Sequence, residues 1–385
     1  MIRRFKFSPA LAPATWALLL TLPSLQALAQ DQILRPYTSV RGEGMGNVNY
    51  TTGLYDQNLF FNPARVTDNP EWRVTLLDPM VEVSSVVPGA VGGLIHGGSD
   101  FYRDVGDNAG DNYHARVQTT FPAFYKPPGQ DGKWGFAIAV VTSTQSDVNL
   151  RRSFNVEPMA ITDVGPAITV GRRFFDDNSL SIGTTLHAEY RLSSNTGFTF
   201  IDLIQGKSLA PSKTGGQGAG ADLDLGMEYK FTHFTPAGVH FSGAFAVNNA
   251  LGGKYSNIGF KPIKDSAGNP SPSSLPTSQP RTFNFGVAAE KDSMGVLKNT
   301  TLALEFTDFG NNTNGSIYRT IHMGGETHLS IFALRAGLNQ GYPCAGLGID
   351  LKFIQIDAST YGEEMSLNAG GYEDRRYALR FAIQI

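Results

Sequence analysis

The sequence predicts an all-β protein, a transmembrane antiparallel β-barrel of roughly 12–14 strands. Three observations lead to this prediction: an export signal at the N-terminus, many segments in which apolar and polar residues alternate, and a last segment that alternates up to the final residue. The composition agrees, because charged residues make up 17% of the 385 residues, against about 25% in soluble proteins.

Residues 1–29 are predicted to be a cleavable signal peptide. Arg3 and Arg4 supply a positively charged start, residues 14–22 form an apolar stretch, and residues 27–29 give a small-x-small cleavage site. A membrane anchor is the weaker alternative, because the apolar stretch is far shorter than the ~20 residues of a spanning helix. We therefore expect export, with a mature chain that begins at Gln30.

Alternation recurs throughout the mature chain, which has no apolar run long enough for a transmembrane helix. In a barrel strand of about 10 residues, lipid-facing apolar residues alternate with lumen-facing polar ones. In residues 182–192, for example, Ile182 and Leu186 fall on one face and the charged residues on the other. The lumen-facing polar candidates are His187, Glu189, Arg191, Asp222, Asp224, Glu228, Glu305, Arg335 and Arg380.

Two interpretations of these lumen-facing side chains remain open. They could form a polar track for a substrate, or they could pair across neighbouring strands and so satisfy a polar interior. Pairing is the default interpretation, because a barrel of this size has to neutralise its inward charges.

A soluble β-sandwich is the competing fold, since its strands also alternate. Sandwich strands are usually about 5–6 residues long, and their apolar face points inward. The alternating segments here are longer, and several carry Tyr or Phe near their ends, as an interfacial aromatic girdle requires. We therefore favour the barrel, in a single domain.

Three stretches without periodicity predict connections between strands: residues 88–112, 206–220 and 261–281, all rich in Gly, Pro or Ser. A change of phase near Phe353 predicts a further irregularity. Leu351 and Phe353 share a face, whereas the next apolar residue, Ile354, occupies the opposite one. We interpret this change as a β-bulge, or as a strand leaving the membrane.

The last residues are predicted to form the closing strand of the barrel. Tyr377, Leu379, Phe381, Ile383 and Ile385 share one face. This segment resembles the C-terminal signal that hands outer-membrane barrels to their assembly machinery, so we expect that machinery as a partner. The signal usually ends in an aromatic residue, most often Phe, and Ile385 stands in that place.

Several classes of function are disfavoured by the sequence. The net charge of -3 offers no cationic excess for nucleic acid. A single cysteine, Cys344, excludes an intrachain disulfide and a cysteine-based metal cluster. No HExxH or GxSxG motif occurs. We therefore expect no enzyme activity, no cofactor and no metal site.

The region after the predicted cleavage site carries a family resemblance. A Gly-Met-Gly-Asn turn at residues 44–47 precedes a Phe-x-Asn-Pro-Ala element whose last three residues are Asn62, Pro63 and Ala64. Together they resemble the N-terminal region of the FadL-type superfamily of outer-membrane barrels, which includes long-chain fatty-acid transporters, TraF-like and PorV-like members. The closing strands and turns of the PorV-like branch are resembled by residues 334–342, 345–348, 361–364 and 373–376.

The resemblance implies an N-terminal hatch, or plug, at residues 30–70 and a barrel at residues 71–385. Asn62, Pro63 and Ala64 are then the candidates for hatch gating; the alternative is a structural turn that only seals the barrel. A location in the bacterial outer membrane, in contact with membrane lipid, is also implied.

Two functions are compatible with the resemblance, because a fold does not fix a function. Kinship with the fatty-acid transporters implies passive uptake of hydrophobic small molecules, with a lateral exit into the membrane. Kinship with PorV-like members implies a partner in protein secretion or surface assembly, and a purely structural role is a further alternative. Transport, which we favour, predicts an apolar cavity beside the hatch; secretion predicts an exposed apolar surface on the loops at 88–112 and 261–281.

Overall fold

The computed structural model describes residues 36–88, 110–150, 156–194, 215–256, 264, 267–269, 274–310, 316–366 and 370–385. The predicted signal peptide lies outside these residues. So do most of the predicted connections at 88–112 and 206–220, and part of the one at 261–281. No helix in the described part of the chain is long and apolar enough to cross a membrane.

The described strands form one antiparallel sheet that closes on itself. Their bounds are β1 Arg73–Leu77, β2 Pro79–Ser84, β3 Asn112–Lys126, β4 Trp134–Leu150, β5 Val156–Phe174, β6 Leu180–Ser194, β7 Gly215–Lys230, β8 His240–Asn248, β9 Tyr255–Ser256, β10 Thr282–Met294, β11 Leu297–Phe306, β12 Ile321–Leu329, β13 Phe332–Asn339, β14 Tyr342–Leu351, β15 Ile354–Glu364 and β16 Glu373–Gln384. β1 and β2 are two halves of one strand, since both lie between β16 and β3, and the short β9 continues β8 along β7. The result is the predicted barrel, with fourteen strands.

Alternation sorts the side chains as the sequence predicted. Leu186, Leu302 and Leu379 lie on the outer face with 54%, 63% and 56% of their surface exposed, whereas Glu228 and Glu305 point inward and are buried. An apolar outer face around a polar interior is the arrangement of a barrel in lipid. The last strand closes the barrel, because Ile385 and Val74 exchange two backbone hydrogen bonds of 2.9 Å.

Connection length distinguishes the two ends of the barrel. Tight turns join β5 to β6, β12 to β13 and β14 to β15 at the end where the chain terminates. Most connections at the opposite end are longer. We call these the short-turn end and the long-loop end; in outer-membrane barrels the short turns face the periplasm.

Of the two interpretations of the phase change near Phe353, the bulge is wrong, and the strand instead ends there, as the alternative predicted. Leu351 and Ile354 are paired partners across a two-residue hairpin turn, so the change of phase marks the start of a new antiparallel strand, β15. The turn consists of Lys352 and Phe353, which carry none of the usual turn signals.

The predicted loop at residues 206–220 is also wrong in its second half. Residues 215–220 belong to β7 and pair with β6. The glycines of this part are required because the returning chain lies against the strand: a Cβ at Gly216 would come within 2.5 Å of the Leu275 carbonyl oxygen. Close backbone approach, and not loop structure, explains the glycine run.

Residues 36–70 lie inside the barrel, and we call them the inner segment. It contains helix α1 (Val40–Gly44), helix α2 (Asp56–Phe60) and a 3-10 helix (Pro63–Asp68); two further 3-10 helices, Pro236–Gly238 and Ile317–Thr320, lie in connections of the wall. Ser39 caps α1 by accepting a hydrogen bond from the Gly42 backbone N–H. Helix α1 packs against β13 to β16, and the 3-10 helix of the segment packs against β4 to β7.

Candidate functional site

The candidate site is the contact between the inner segment and the barrel wall. Glu305 of β11 is the clearest anchor, because it is fully buried and accepts three hydrogen bonds from one turn of the segment. The donors are the Asn49 N–H at 2.8 Å, the Thr51 N–H at 2.7 Å and the Thr51 hydroxyl at 2.6 Å. Hydrogen bonds to an ionised carboxylate are stronger than those between neutral groups.

A second anchor joins the 3-10 helix of the segment to β7. Arg65 forms a buried salt bridge with Glu228, and Lys230 lies 2.6 Å from Asp68. Burial alone would raise the pKa of Asp68, but the nearby cations Lys230 and Arg65 hold that pKa well below its usual range. The alternation of β7 fixes the spacing of these partners, since residues 228 and 230 share a face.

Arg335 and Arg380 belong to a third group of charges at the short-turn half of the barrel. Glu326 is bound on one side by Arg335 of the wall, at 2.5 Å, and on the other by Arg41 of the segment, at 2.8 Å. Arg380 binds Asp78, at the break between β1 and β2, at 2.6 Å and lies 3.4 Å from Asp56 of the segment.

The other predicted polar residues support the wall itself. Arg191 and Asp163 form a two-pronged salt bridge of 2.6 and 2.7 Å between β6 and β5. Asp224 accepts a 2.8 Å hydrogen bond from the Asn249 N–H, and Asp222 accepts one of the same length from the Leu251 N–H. The two aspartates therefore hold residues 249–254, the connection between β8 and β9.

His187 and Glu189 complete the predicted set and lie beside this connection. His187 Nε2 lies 3.5 Å from Asp224 Oδ1. Glu189 Oε1 accepts hydrogen bonds from the Tyr255 hydroxyl and, at 2.9 Å, from the Gln279 amide. The structure thus brings Glu228, Glu305, Arg335 and Arg380 to the inner segment and leaves the other five lumen candidates around the wall of β5 to β9.

Asn62, Pro63 and Ala64 begin the 3-10 helix of the inner segment. Asn62 caps it, since its Oδ1 accepts the Ala64 N–H at 3.2 Å while its Nδ2 donates to the Tyr50 carbonyl at 2.9 Å. The turn lies directly on two wall glycines: a Cβ at Gly183 would come within 2.3 Å of the Pro63 carbonyl oxygen. A Cβ at Gly226 would come within 2.1 Å of Asn62 Oδ1.

An apolar cavity lies between the inner segment and the wall, toward its middle. Its core is a group of rings in which Tyr37 stacks on Phe60 at 4.5 Å and Phe61 lies 5.5 Å from Tyr50. We call the space of about 60 Å³ beside these rings the aromatic cavity. It is lined by Pro36, Tyr37, Tyr50, Phe60, Phe61, Val141, Gly165, Pro166, Ala167, His187, Ala188, Glu189, Asp224, Asn248, Asn249, Gln279, Pro280 and Thr282.

The strand pairing of the wall is interrupted where it borders the aromatic cavity. Pairing between β5 and β6 passes from Val164–Tyr190 to Ala167–His187 and omits the two residues between, Gly165 and Pro166. Proline has no N–H to donate to the sheet. Gly165 and Pro166 therefore have no paired partners in β6 beside the cavity, and Pro166 donates no hydrogen bond there.

A larger cavity of about 710 Å³ lies on the other side of the inner segment, and we call it the vestibule. Residues of the turns at the short-turn end line it, together with charged residues of the segment and wall. The charged lining includes Arg41, Arg65, Asp68, Arg73, Glu290, Asp350, Asp357 and Arg380. Among the described residues, no group of three or more His, Cys, Asp or Glu side chains is arranged to hold a metal ion.

Comparison with known proteins supports the fold. No protein-family model and no curated protein matches the sequence, but solved structures do. The TodX deltaS2S3 mutant monoaromatic hydrocarbon channel is similar with a TM-score of 0.50 and 9% identity, over 92% of this chain and 99% of that one. The chain has the fold of FadL-type outer-membrane barrels.

Two further solved structures are similar at lower scores. The Ralstonia pickettii toluene transporter TbuX matches with a TM-score of 0.45 and 10% identity, over 90% of this chain and 97% of that one. A Pseudomonas aeruginosa FadL homologue matches with a TM-score of 0.35 and 11% identity, again over 90% and 97%. The similarity to the TodX channel agrees, at the level of fold, with the FadL-type β-barrel predicted from the sequence.

Sequence reasoning missed part of the site. Glu326 was not predicted to face the lumen because Gly324 and Gly325 interrupt the alternation of β12 just before it. Asp357 was not predicted because the phase change near Phe353 left open which face the following residues take. The rings of the aromatic cavity follow no periodicity, so no pattern in the sequence could have grouped them.

Proposed function

We propose that the protein mediates passive uptake of small hydrophobic molecules across the outer membrane, and that the inner segment acts as its hatch. The observation that carries the proposal is the aromatic cavity, an apolar space in an otherwise polar lumen. Its ring cluster belongs to the inner segment, so a movement of the segment changes access to the cavity. Similar channels for monoaromatic hydrocarbons and toluene are consistent with such a cargo.

The size of the cavity requires the hatch to move before a ring compound can enter. At about 60 Å³, the aromatic cavity is smaller than the apolar cavity of about 150 Å³ that is known to bind benzene. A shift of the inner segment, which carries the ring cluster, would enlarge the cavity.

The route out of the cavity follows from polarity. An apolar solute would gain little free energy by moving from the aromatic cavity into the vestibule, because many charged groups line the vestibule. The unpaired seam at Gly165 and Pro166 offers the alternative, because its other side faces lipid. We therefore infer lateral release into the membrane between β5 and β6.

The test fills the cavity without touching the polar anchors. Val141 is 3% exposed and lines the cavity, whereas Ile138 on the same strand is 47% exposed and faces outward. We expect Val141→Phe to reduce uptake of radiolabelled toluene by intact cells at least tenfold, and Ile138→Phe to leave uptake unchanged. Equal uptake by the two variants, at equal amounts of folded barrel, would overturn the proposal.

A role in protein secretion requires an exposed apolar loop surface. The loops concerned, 88–112 and 261–281, lie largely or partly outside the described residues. Recovery of a stoichiometric protein partner from solubilised membranes, together with absent toluene uptake, would favour it. We assign no catalytic step to the barrel.

A further inference from the structure

The aromatic cavity ends on an ionisable group. Its apolar lining comes from rings such as Tyr37 and Phe61, while Glu189 of β6 lines the opposite side. Glu189 is 9% exposed. A carboxylate this deeply buried is costly unless hydrogen bonds or an opposite charge stabilise it.

The hydrogen bonds of Glu189 leave one oxygen available. The Tyr255 hydroxyl and the Gln279 amide both donate to Oε1, and both donors are neutral. No described residue donates a hydrogen bond to Oε2 or forms a salt bridge with Glu189. The nearby guanidinium of Arg191 is engaged by both carboxylate oxygens of Asp163, at 2.6 and 2.7 Å.

The charges around this end of the cavity are predominantly negative. Glu189 and Asp224 both line it, and the only described basic group in the lining is the imidazole of His187, 3.5 Å from Asp224. A ligand with a negative head would meet repulsion here, and a ligand with a positive head would meet attraction. Aromatic faces also attract cations, and they do so most strongly when water is excluded.

We propose that the aromatic cavity selects small aromatic molecules that carry a primary ammonium group, with Glu189 receiving the ammonium and the tyrosine and phenylalanine rings receiving the apolar body. This inference rests on the proposed function, because it assigns a ligand class to the same cavity. It makes Glu189 a specificity residue and gives His187 and Asp224 the supporting role of setting the local charge.

Three ring compounds of similar size separate the possibilities: benzylamine, benzyl alcohol and benzoate, titrated calorimetrically into the purified full-length barrel at pH 7. We expect benzylamine to bind at least tenfold more tightly than benzyl alcohol, which corresponds to about 1.4 kcal/mol, and benzoate to bind weakest. Binding of all three within threefold overturns the ammonium preference but leaves uptake of hydrophobic molecules standing. Absence of binding by all three to a folded barrel overturns both proposals, and tightest binding of benzoate overturns the inference in favour of recognition by His187.

Two variants test whether Glu189 is the residue that causes the preference for benzylamine. Glu189→Gln should bring benzylamine and benzyl alcohol to within about threefold of each other, whereas Glu71→Gln, which removes one negative charge at a side chain that is 70% exposed, should change nothing. Tyr255→Phe removes a donor and keeps the carboxylate, so it should retain the preference and serves if Glu189→Gln fails to fold. An undiminished preference in folded Glu189→Gln, or its loss in folded Tyr255→Phe, contradicts the role of Glu189.

Discussion

Removing the Glu305 carboxylate should release one turn of the inner segment while the barrel stays closed. In Glu305→Ala, the buried N–H groups of Asn49 and Thr51 lose their acceptor. An unsatisfied buried donor costs about 1–3 kcal/mol, so the two together cost about 2–6 kcal/mol. The Thr51 hydroxyl adds little to this sum, because it can rotate toward another acceptor.

Hydrogen exchange followed by mass spectrometry measures this release directly. Since about 1.4 kcal/mol corresponds to a tenfold change, a cost of at least about 2 kcal/mol should accelerate exchange of residues 47–53 by at least about 30-fold. Strand amides such as those of β5 should keep their protection. Glu363→Ala is the control, because Glu363 is half-buried on β15 and bonds to Gln340 outside the segment.

Two results would refute this reasoning. Unchanged exchange in residues 47–53 of Glu305→Ala would mean that the three hydrogen bonds do not hold the turn. Equal acceleration in the turn and in all strands would mean that Glu305 stabilises the barrel as a whole and is no specific anchor of the segment.

Two further predictions concern the other end of the segment. Gly226→Ala places a Cβ within 2.1 Å of Asn62 Oδ1, so it should destabilise the packed segment by about 1–3 kcal/mol and expose residues 60–70 to protease. Gly129→Ala is the control, because a Cβ at Gly129 lies in open space. Equal cleavage of the two variants would contradict a close fit between the segment and β7. Because the pKa of Asp68 lies below its unfolded value of about 3.9, its stabilising contribution is complete above that value and is lost as the pH falls through the folded pKa. Protection of residues 62–70 from hydrogen exchange, corrected for the intrinsic exchange rate, should therefore stay constant from pH 5 to 8 and fall in stronger acid. Asp68→Asn should remove that fall. If the fall persists in Asp68→Asn, another group is responsible for it.

The alternation of apolar and polar residues allowed the barrel to be predicted from the sequence. In β7, Met227 and Glu228 take opposite faces because successive side chains of any strand do so, and the same rule assigned Leu379 and Arg380 in the closing strand. Closure of the barrel then follows from the number of such strands and from an apolar face that needs lipid.

Prediction from local sequence patterns failed where one pattern is compatible with two structures, or where no pattern marks the structure. Glycines at residues 215–220 are typical of a loop, yet they serve a strand that another stretch of chain approaches closely. The turn at Lys352 and Phe353 has no turn signal, and only its pairing reveals it.

The site itself was beyond sequence reasoning because its contacts span most of the chain. Glu305 and Asn49 are 256 residues apart, and Glu326 and Arg41 are 285 apart. Alternation predicted that a wall carboxylate points inward; it could not predict which backbone N–H or guanidinium would meet it. The same holds for the aromatic cavity, whose rings come from separate turns of an irregular segment.

A reversible lock on the inner segment tests the central claim most directly. Thr67 of the segment and Ser181 of β6 place their hydroxyl oxygens 3.1 Å apart, so cysteines at these two positions need only a small shift to reach disulfide geometry. The variant Thr67→Cys with Ser181→Cys, in a chain that also carries Cys344→Ala, should take up toluene only after reduction. Uptake that is equally fast in the oxidised and reduced protein would contradict the proposal that the inner segment is the hatch.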